Sequence, residues 1–223
     1  MDTAAKPSGF FITFEGPEGG GKSTQIHRLA ATLAEQGYSV WTTREPGGTR
    51  VGEMIRPILL GREQGSLTAW SEALLFTAAR AQHVAEVIRP RLERGELVLC
   101  DRYIDSTLAY QGYGRGLDLK TLRRLENNAT DGVEPNLTML LNLPVEAGLA
   151  RIPRPAQDRL DRETASFHER VRAGYQEMAN ADPRRWRVVD ASADPDQVAQ
   201  QILEAVSAAL TAAGIRPAQR RSA

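Results

Sequence analysis

FEGPEGGGKST, residues 14–24, sets three consecutive glycines before a lysine in a chain that otherwise avoids lysine: only Lys6, Lys22 and Lys120 stand against 25 arginines. Position 22 therefore wants an ammonium on a slender stem where composition alone would supply a guanidinium. Residues 16–23 fit G-x-x-x-x-G-K-[ST] without a gap, after an apolar run and before an amphipathic segment, the context in which this pattern binds a nucleoside triphosphate. The candidate donor loop is Gly16, Pro17, Glu18, Gly19, Gly20, Gly21, Lys22, Ser23 and Thr24. Glycines let successive backbone N–H groups converge on a phosphate, and the following helix turns its positive end toward the same anion. Lys22 reaches the terminal phosphates as a point charge, and Ser23 is a candidate ligand for the Mg2+ that accompanies ATP.

Outward from the loop, apolar runs at 10–16, 38–45, 96–103, 137–143 and 185–191 alternate with segments whose apolar residues return at three- and four-residue spacing, at 22–37, 70–95 and 119–132. Strands apolar throughout, separated by helices, predict a five-stranded parallel sheet covered on both faces: an α/β three-layer P-loop sandwich. At 223 residues and 41% hydrophobic content the chain fits one domain, expected over 9–213, with loose termini at 1–8 and 214–223. The Arg- and Pro-rich stretch RIPRPAQDRLDR (151–162) reads as a small mobile lid within about 148–163. Formal net charge is zero, which gives no electrostatic case for nucleic acid or a membrane surface. One cysteine, Cys100, and no secretory signal or long apolar span point to a cytoplasmic setting. His27, His83 and His168 have no carboxylate or cysteine at ligand spacing and read as structural or solvent-facing.

A triphosphate loop does not name a reaction. No N-K-x-D guanine motif occurs, which favours ATP as the nucleotide. Three further clusters follow in order: REPGGT (44–49), FTAARAQ (76–82), in which Phe76 and Arg80 share a helical face, and DRYIDSTLAYQG (101–112). With the glycine loop, they make the chain similar to the thymidylate kinases, P-loop kinases that convert dTMP and ATP to dTDP and ADP, over about residues 11–212. The last cluster is close to a signature of that family.

The resemblance implies roles at the matching positions. Glu18 would approach the sugar 3′-hydroxyl and the acceptor phosphate, Phe76 would stack on thymine, and Arg80 would donate to its O4. Ser106, Thr107 and Gln111 would surround base and sugar. Arg56 and Arg102 would hold the acceptor phosphate, Asp101 would lie near the metal, and Arg44 and Glu45 would shape the acceptor side. The loop carries no arginine at its variable positions, so the catalytic charge is expected from the lid, from Arg151, Arg154 and Arg159, alongside Lys22 and Arg102. A homodimer built on apolar helix faces and a place in dTTP biosynthesis are also implied. The competing readings are a deoxynucleoside kinase, which would need a carboxylate base at a 5′-hydroxyl, and a non-catalytic nucleotide-dependent module, which would lack the set Phe76, Arg80 and Gln111.

Overall fold

Every residue of β1 (Phe10–Glu15) is buried, which requires cover on both faces of the strand. In the computed structural model, which describes residues 9–61 and 66–217, that cover is helical. Phe10, Ile12 and Phe14 pack into one cluster with Ile26, Leu29 and Leu33 of α1 (Lys22–Glu35) and Val198, Ile202 and Val206 of α9 (Pro195–Ala212). Phe11 points the other way, into a cluster with Val84, Ile88, Val98 and Tyr103. Each such side chain contributes roughly 1.5–3 kcal/mol by leaving water.

Strand order is β2 (Val40–Arg44), β3 (Leu97–Asp101), β1, β4 (Leu137–Asn142), β5 (Trp186–Asp190), all parallel. β1 pairs with β3 through Phe14↔Asp101 and with β4 through Glu15↔Leu140. The chain leaving β1 and the end of β3 thus reach the same carboxyl rim, where ligands of such sheets bind. The expected five-stranded parallel sheet holds, with one correction: the edge strands β2 and β5 are not apolar throughout. Val188 is 56% exposed, and the indole of Trp41 is roofed by the Arg91 guanidinium 3.5 Å from its ring centroid.

After β2 comes α2 (Arg50–Leu60), capped by Thr49, whose hydroxyl accepts from Gly52 N. Next is α3 (Ala69–His83), which continues through a π-helical turn, Val84–Ile88, into α4 (Arg89–Glu93). After β3, the short α5 (Ile104–Thr107) runs into a second π-helical turn, Leu108–Gly114, and then α6 (Leu119–Thr130). α7 (Val145–Ala150) leads to a 3₁₀ turn, Arg154–Ala156, and α8 (Ala165–Ala181). A second cluster of Tyr110, Leu122, Phe167, Tyr175 and Trp186 binds α8 to the π-helical turn and the sheet.

At the C-terminal side the described residues run past the expected domain end at 213 into the stretch expected to be loose. Gly214, at φ +70°, closes α9 by donating to Thr211 O (3.0 Å), Ile215 N donates to Leu210 O (2.9 Å), and Ile215 packs on the first cluster. Residues 1–8 and 218–223, where the rest of that expectation falls, lie outside the described residues. Among the described residues no helix is long and apolar enough to cross a membrane.

Candidate active site

Gly19 and Gly148 fix where the glycine loop sits. A Cβ on Gly19 would meet Gly148 O at 2.1 Å, and one on Gly148 would meet Glu18 O at 2.2 Å, so the loop and α7 interlock backbone against backbone. No side chain caps α1, which leaves its first N–H groups open on the rim beside the loop. Lys22 is 7% exposed, and its ammonium donates to Gly16 O (3.2 Å) and Pro17 O (2.9 Å). Burial pushes the Lys22 pKa down, and the nearby Arg102 charge adds to that push. Across the rim, Ser23 Oγ donates to Asp101 Oδ2 at 2.5 Å. A hydroxyl and a carboxylate in that pairing form the hard-oxygen set that suits Mg2+.

Next to the loop, a cavity of about 180 Å³ opens between the ends of β1 and β3. Of the residues singled out from sequence, Glu18, Ser23, Arg44, Glu45, Arg56, Phe76, Asp101, Arg102, Ser106, Thr107 and Gln111 line it. The loop and the cavity share Glu18, Ser23, Asp101 and Arg102. Arg102 has φ +70°, a left-handed conformation that costs a non-glycine residue about 1–3 kcal/mol and occurs at functional sites. It brings the guanidinium back over the loop, where Nη2 donates to Glu18 Oε1 (2.7 Å) and Nη1 to Gly16 O (3.1 Å) and Tyr175 Oη (3.2 Å). Tyr110 Oη donates to the same Glu18 oxygen (2.6 Å), so Oε2 takes no described donor. Burial would raise the Glu18 pKa, but the charges of Arg102 and Lys22 outweigh it and hold the carboxyl at about 2. Arg56 is tied to Pro46 O at 2.6 Å, and Arg44 pairs with Glu53 at 3.2 Å.

Arg80 lies elsewhere. It is 1% exposed and sits behind the cavity, donating to Glu45 Oε2 (2.7 Å), Thr107 Oγ1 (2.8 Å) and Tyr103 O (3.0 Å), with Glu126 Oε2 ion-paired to it 2.7 Å from Nη1. His83, read as structural or solvent-facing, finds across the fold partners that its sequence spacing does not show. Its Nδ1 meets Glu45 Oε1 at 2.9 Å, its Nε2 meets Thr43 Oγ1 at 2.7 Å, and Cys100 lies close by. With both ring nitrogens engaged and Glu45 already bound to Arg80, that trio is a structural tie.

The lid arginines are separated. Arg151 leans on the loop, with Nη1 near Gly19 O (3.4 Å) and Ala191 O (3.1 Å). Arg154 is exposed and makes no side-chain bond to a described residue. Arg159 is latched to the far side, donating to Leu59 O (2.9 Å) and Glu72 Oε2 (2.5 Å), while its neighbours Asp158 and Leu160 line the cavity. Sequence reasoning missed Tyr110, Tyr175, Asp158, Glu72 and Glu15. Glu15, Tyr110 and Asp158 stood inside quoted stretches, whereas Glu72 and Tyr175 had no local signal. Glu15, fully buried, accepts from Ser106 Oγ (2.6 Å), Tyr175 Oη (2.9 Å) and Tyr103 N (2.8 Å); burial, joined by the Asp105 charge, pushes its pKa up to about 7.

Comparison with known proteins bears on the family and the fold. The sequence profile of the thymidylate kinase family matches residues 14–202. Thymidylate kinase of Thermomicrobium roseum is 58% identical over 200 residues, covering 89% of this chain and 94% of that protein. That of Desulfovibrio desulfuricans is 50% identical over 212 residues, 92% and 98% of the two chains. The crystal structure of thymidylate kinase from Ehrlichia chaffeensis superposes with a TM-score of 0.73 at 35% identity, over 90% of this chain and 99% of that one. A profile match across most of the domain, relatives this close and a shared architecture lead to one conclusion: the chain belongs to the thymidylate kinase family.

Proposed function

We infer that this chain transfers the γ-phosphoryl group of ATP to dTMP, giving dTDP and ADP. The observation that carries the reading is the wall common to the phosphate loop and the arginine-lined cavity: Glu18, Ser23, Asp101 and Arg102 border both. Donor and acceptor phosphates bound on the two sides of that wall would be adjacent, which is the positioning that phosphoryl transfer needs. Lys22 and the open amides of α1 bind the donor phosphates. Arg102 and Arg56 draw in the acceptor phosphate, and Phe76 offers its ring to the base. Glu18 anchors Arg102 through Oε1 and keeps Oε2 for a sugar hydroxyl. Ser23 and Asp101 would hold Mg2+, which supplies charge neutralisation on the phosphates. A deoxynucleoside kinase would need a carboxylate base here, and Glu18, held at about 2, is a poor proton acceptor at neutral pH.

A coupled assay with ATP tests the function directly. dTMP is expected to turn over, and dUMP, which lacks one methyl, is expected to follow with kcat/KM lower by about 10–200-fold. No turnover of dTMP by folded protein would refute the reading.

The assembly we propose is a homodimer through α2 and α3. Val51, Met54 and Ile58 of α2 and Trp70 and Leu74 of α3 are all exposed, Met54 by 65%, on two helices packed side by side. An exposed apolar patch of that kind marks an interface. Replacing Met54 and Leu74 together by Asp is expected to halve the mass measured by light scattering, and an unchanged mass would place the interface elsewhere. A cytoplasmic setting is supported by the single, buried Cys100.

A further inference from the structure

Arg102 is held in its left-handed turn from beneath, by a carboxylate that does not line the acceptor cavity. Glu15, the last residue of β1, is fully buried, and its two oxygens act on Arg102 by separate routes. Oε1 accepts from Tyr103 N (2.8 Å), the peptide N–H that follows Arg102. This bond lies one step past the strand contact from Arg102 N to Phe14 O (3.0 Å), and it fixes the peptide plane on the far side of the φ +70° turn. Oε2 accepts from Ser106 Oγ (2.6 Å) and Tyr175 Oη (2.9 Å). Both hydroxyls in turn meet Arg102 Nη1, at 3.3 Å and 3.2 Å.

Donor and acceptor types give this arrangement one direction. A carboxylate can only accept and a guanidinium can only donate, whereas a hydroxyl carries one proton and two lone pairs. Glu15 draws both hydroxyl protons toward itself, which leaves both oxygens facing Arg102 as acceptors. Nη1 then has three acceptors, those two and Gly16 O (3.1 Å), while Nη2 is held by Glu18 Oε1 (2.7 Å). Nε is taken by no described residue and stays open to an anion. A carboxylate this deep is costly unless its lone pairs are met, and an apolar side chain would fill the same space without that cost. We infer that Glu15 is a positioning residue for the acceptor phosphate, setting the turn at Arg102 through Tyr103 N and aiming its guanidinium through Ser106 and Tyr175. The inference rests on the reading of this cavity as the dTMP site.

The test compares the affinities of dTMP and thymidine, which share base and sugar and differ by the phosphate. Calorimetry supplies them for wild type, Glu15→Gln and Tyr175→Phe, with the KM for ATP measured alongside. The pH is set well above the value of about 7 to which burial and the Asp105 charge push the Glu15 carboxyl, so that it is ionised. In Glu15→Gln the amide oxygen stays on Tyr103 N. Its NH2 then faces Ser106 and Tyr175, takes their lone pairs and turns their protons toward Arg102. The dTMP-to-thymidine affinity ratio is expected to fall about tenfold or more, with thymidine affinity and the KM for ATP near wild type. Tyr175→Phe keeps the ring in its packed cluster but removes one acceptor from Nη1, and should lower the same ratio about threefold or more. A folded Glu15→Gln with the wild-type ratio overturns the proposal. So does an equal loss of dTMP and thymidine affinity, or a matching rise in the KM for ATP, since each marks a general loosening of β1 and the loop. If Glu15→Gln gives no cooperative melt, Tyr175→Phe decides, and an unchanged ratio there overturns the proposal. A wild type that binds no dTMP would instead refute the assignment of the site, a result distinct from an unchanged ratio.

Discussion

Lys22→Ala is expected to bring phosphoryl transfer down to the background of a coupled assay while the melting temperature stays within a few degrees of wild type. Lys22 is the only lysine on the loop, and its ammonium is nearly enclosed, touching just two loop carbonyls, Gly16 O and Pro17 O. Those contacts hold the charge where the terminal phosphates of ATP will lie, and little packing depends on the stem. Removing a single preorganised donor from a site of developing charge costs about 10²–10³ in kcat. Here the loss is larger, because Lys22 supplies a full charge in a pocket that excludes much of the water. Arg102 cannot substitute, since its guanidinium is bound to Glu18 and Gly16 O. The check is kcat with saturating ATP and dTMP beside a thermal melt. Substantial turnover in a folded variant would remove the loop from the donor site.

The sheet was legible because its inner strands are buried on both faces. β1, β3 and β4 are apolar apart from Thr13, Thr138 and a polar residue at each strand end, and dense hydrophobicity of that length between glycine-closed helices has few other readings. The glycine loop was legible because all its chemistry lies in eleven consecutive residues. What spacing does not give is depth. Glu72, Phe76 and Arg80 lie four residues apart on one stripe of α3, and helical spacing says only that they share a face. Which of them reaches the cavity depends on how α3 is set against the rim, and in the fold only Phe76 lines it. Partners distant in sequence were equally hidden: Arg102 meets Tyr175 across 73 residues, and His83 meets Glu45 across 38. The π-helical turn Leu108–Gly114, which aims Tyr110 and Gln111, departs from the 3.6-residue period on which the reading of helices depends. Spacing also does not single out α2, with Pro57 inside it, and α2 bears much of the exposed apolar patch.

Replacing Arg151, Arg154 and Arg159 together by Ala is expected to lower kcat by about 10³–10⁵ with a much smaller change in dTMP affinity, because charge on the transferred group needs neutralising most in the transition state. The structure distributes that loss unevenly. Arg159 spends its donors on Glu72 and Leu59 O, so its replacement should mainly unfasten the segment that carries Asp158 and Leu160 to the cavity. Arg151 is spent on backbone carbonyls beside the loop and should act chiefly on the KM for ATP. Arg154, exposed and unengaged by any described residue, is the guanidinium at liberty to follow the phosphoryl group. Single substitutions separate the three: Arg154→Ala should carry the largest share of the kcat loss at near-normal KM. A triple variant with wild-type kcat would mean that the charge comes from elsewhere, either from Arg162, also exposed, or from outside the lid. Arg102, already at the wall between donor and acceptor, would then be the residue to replace next.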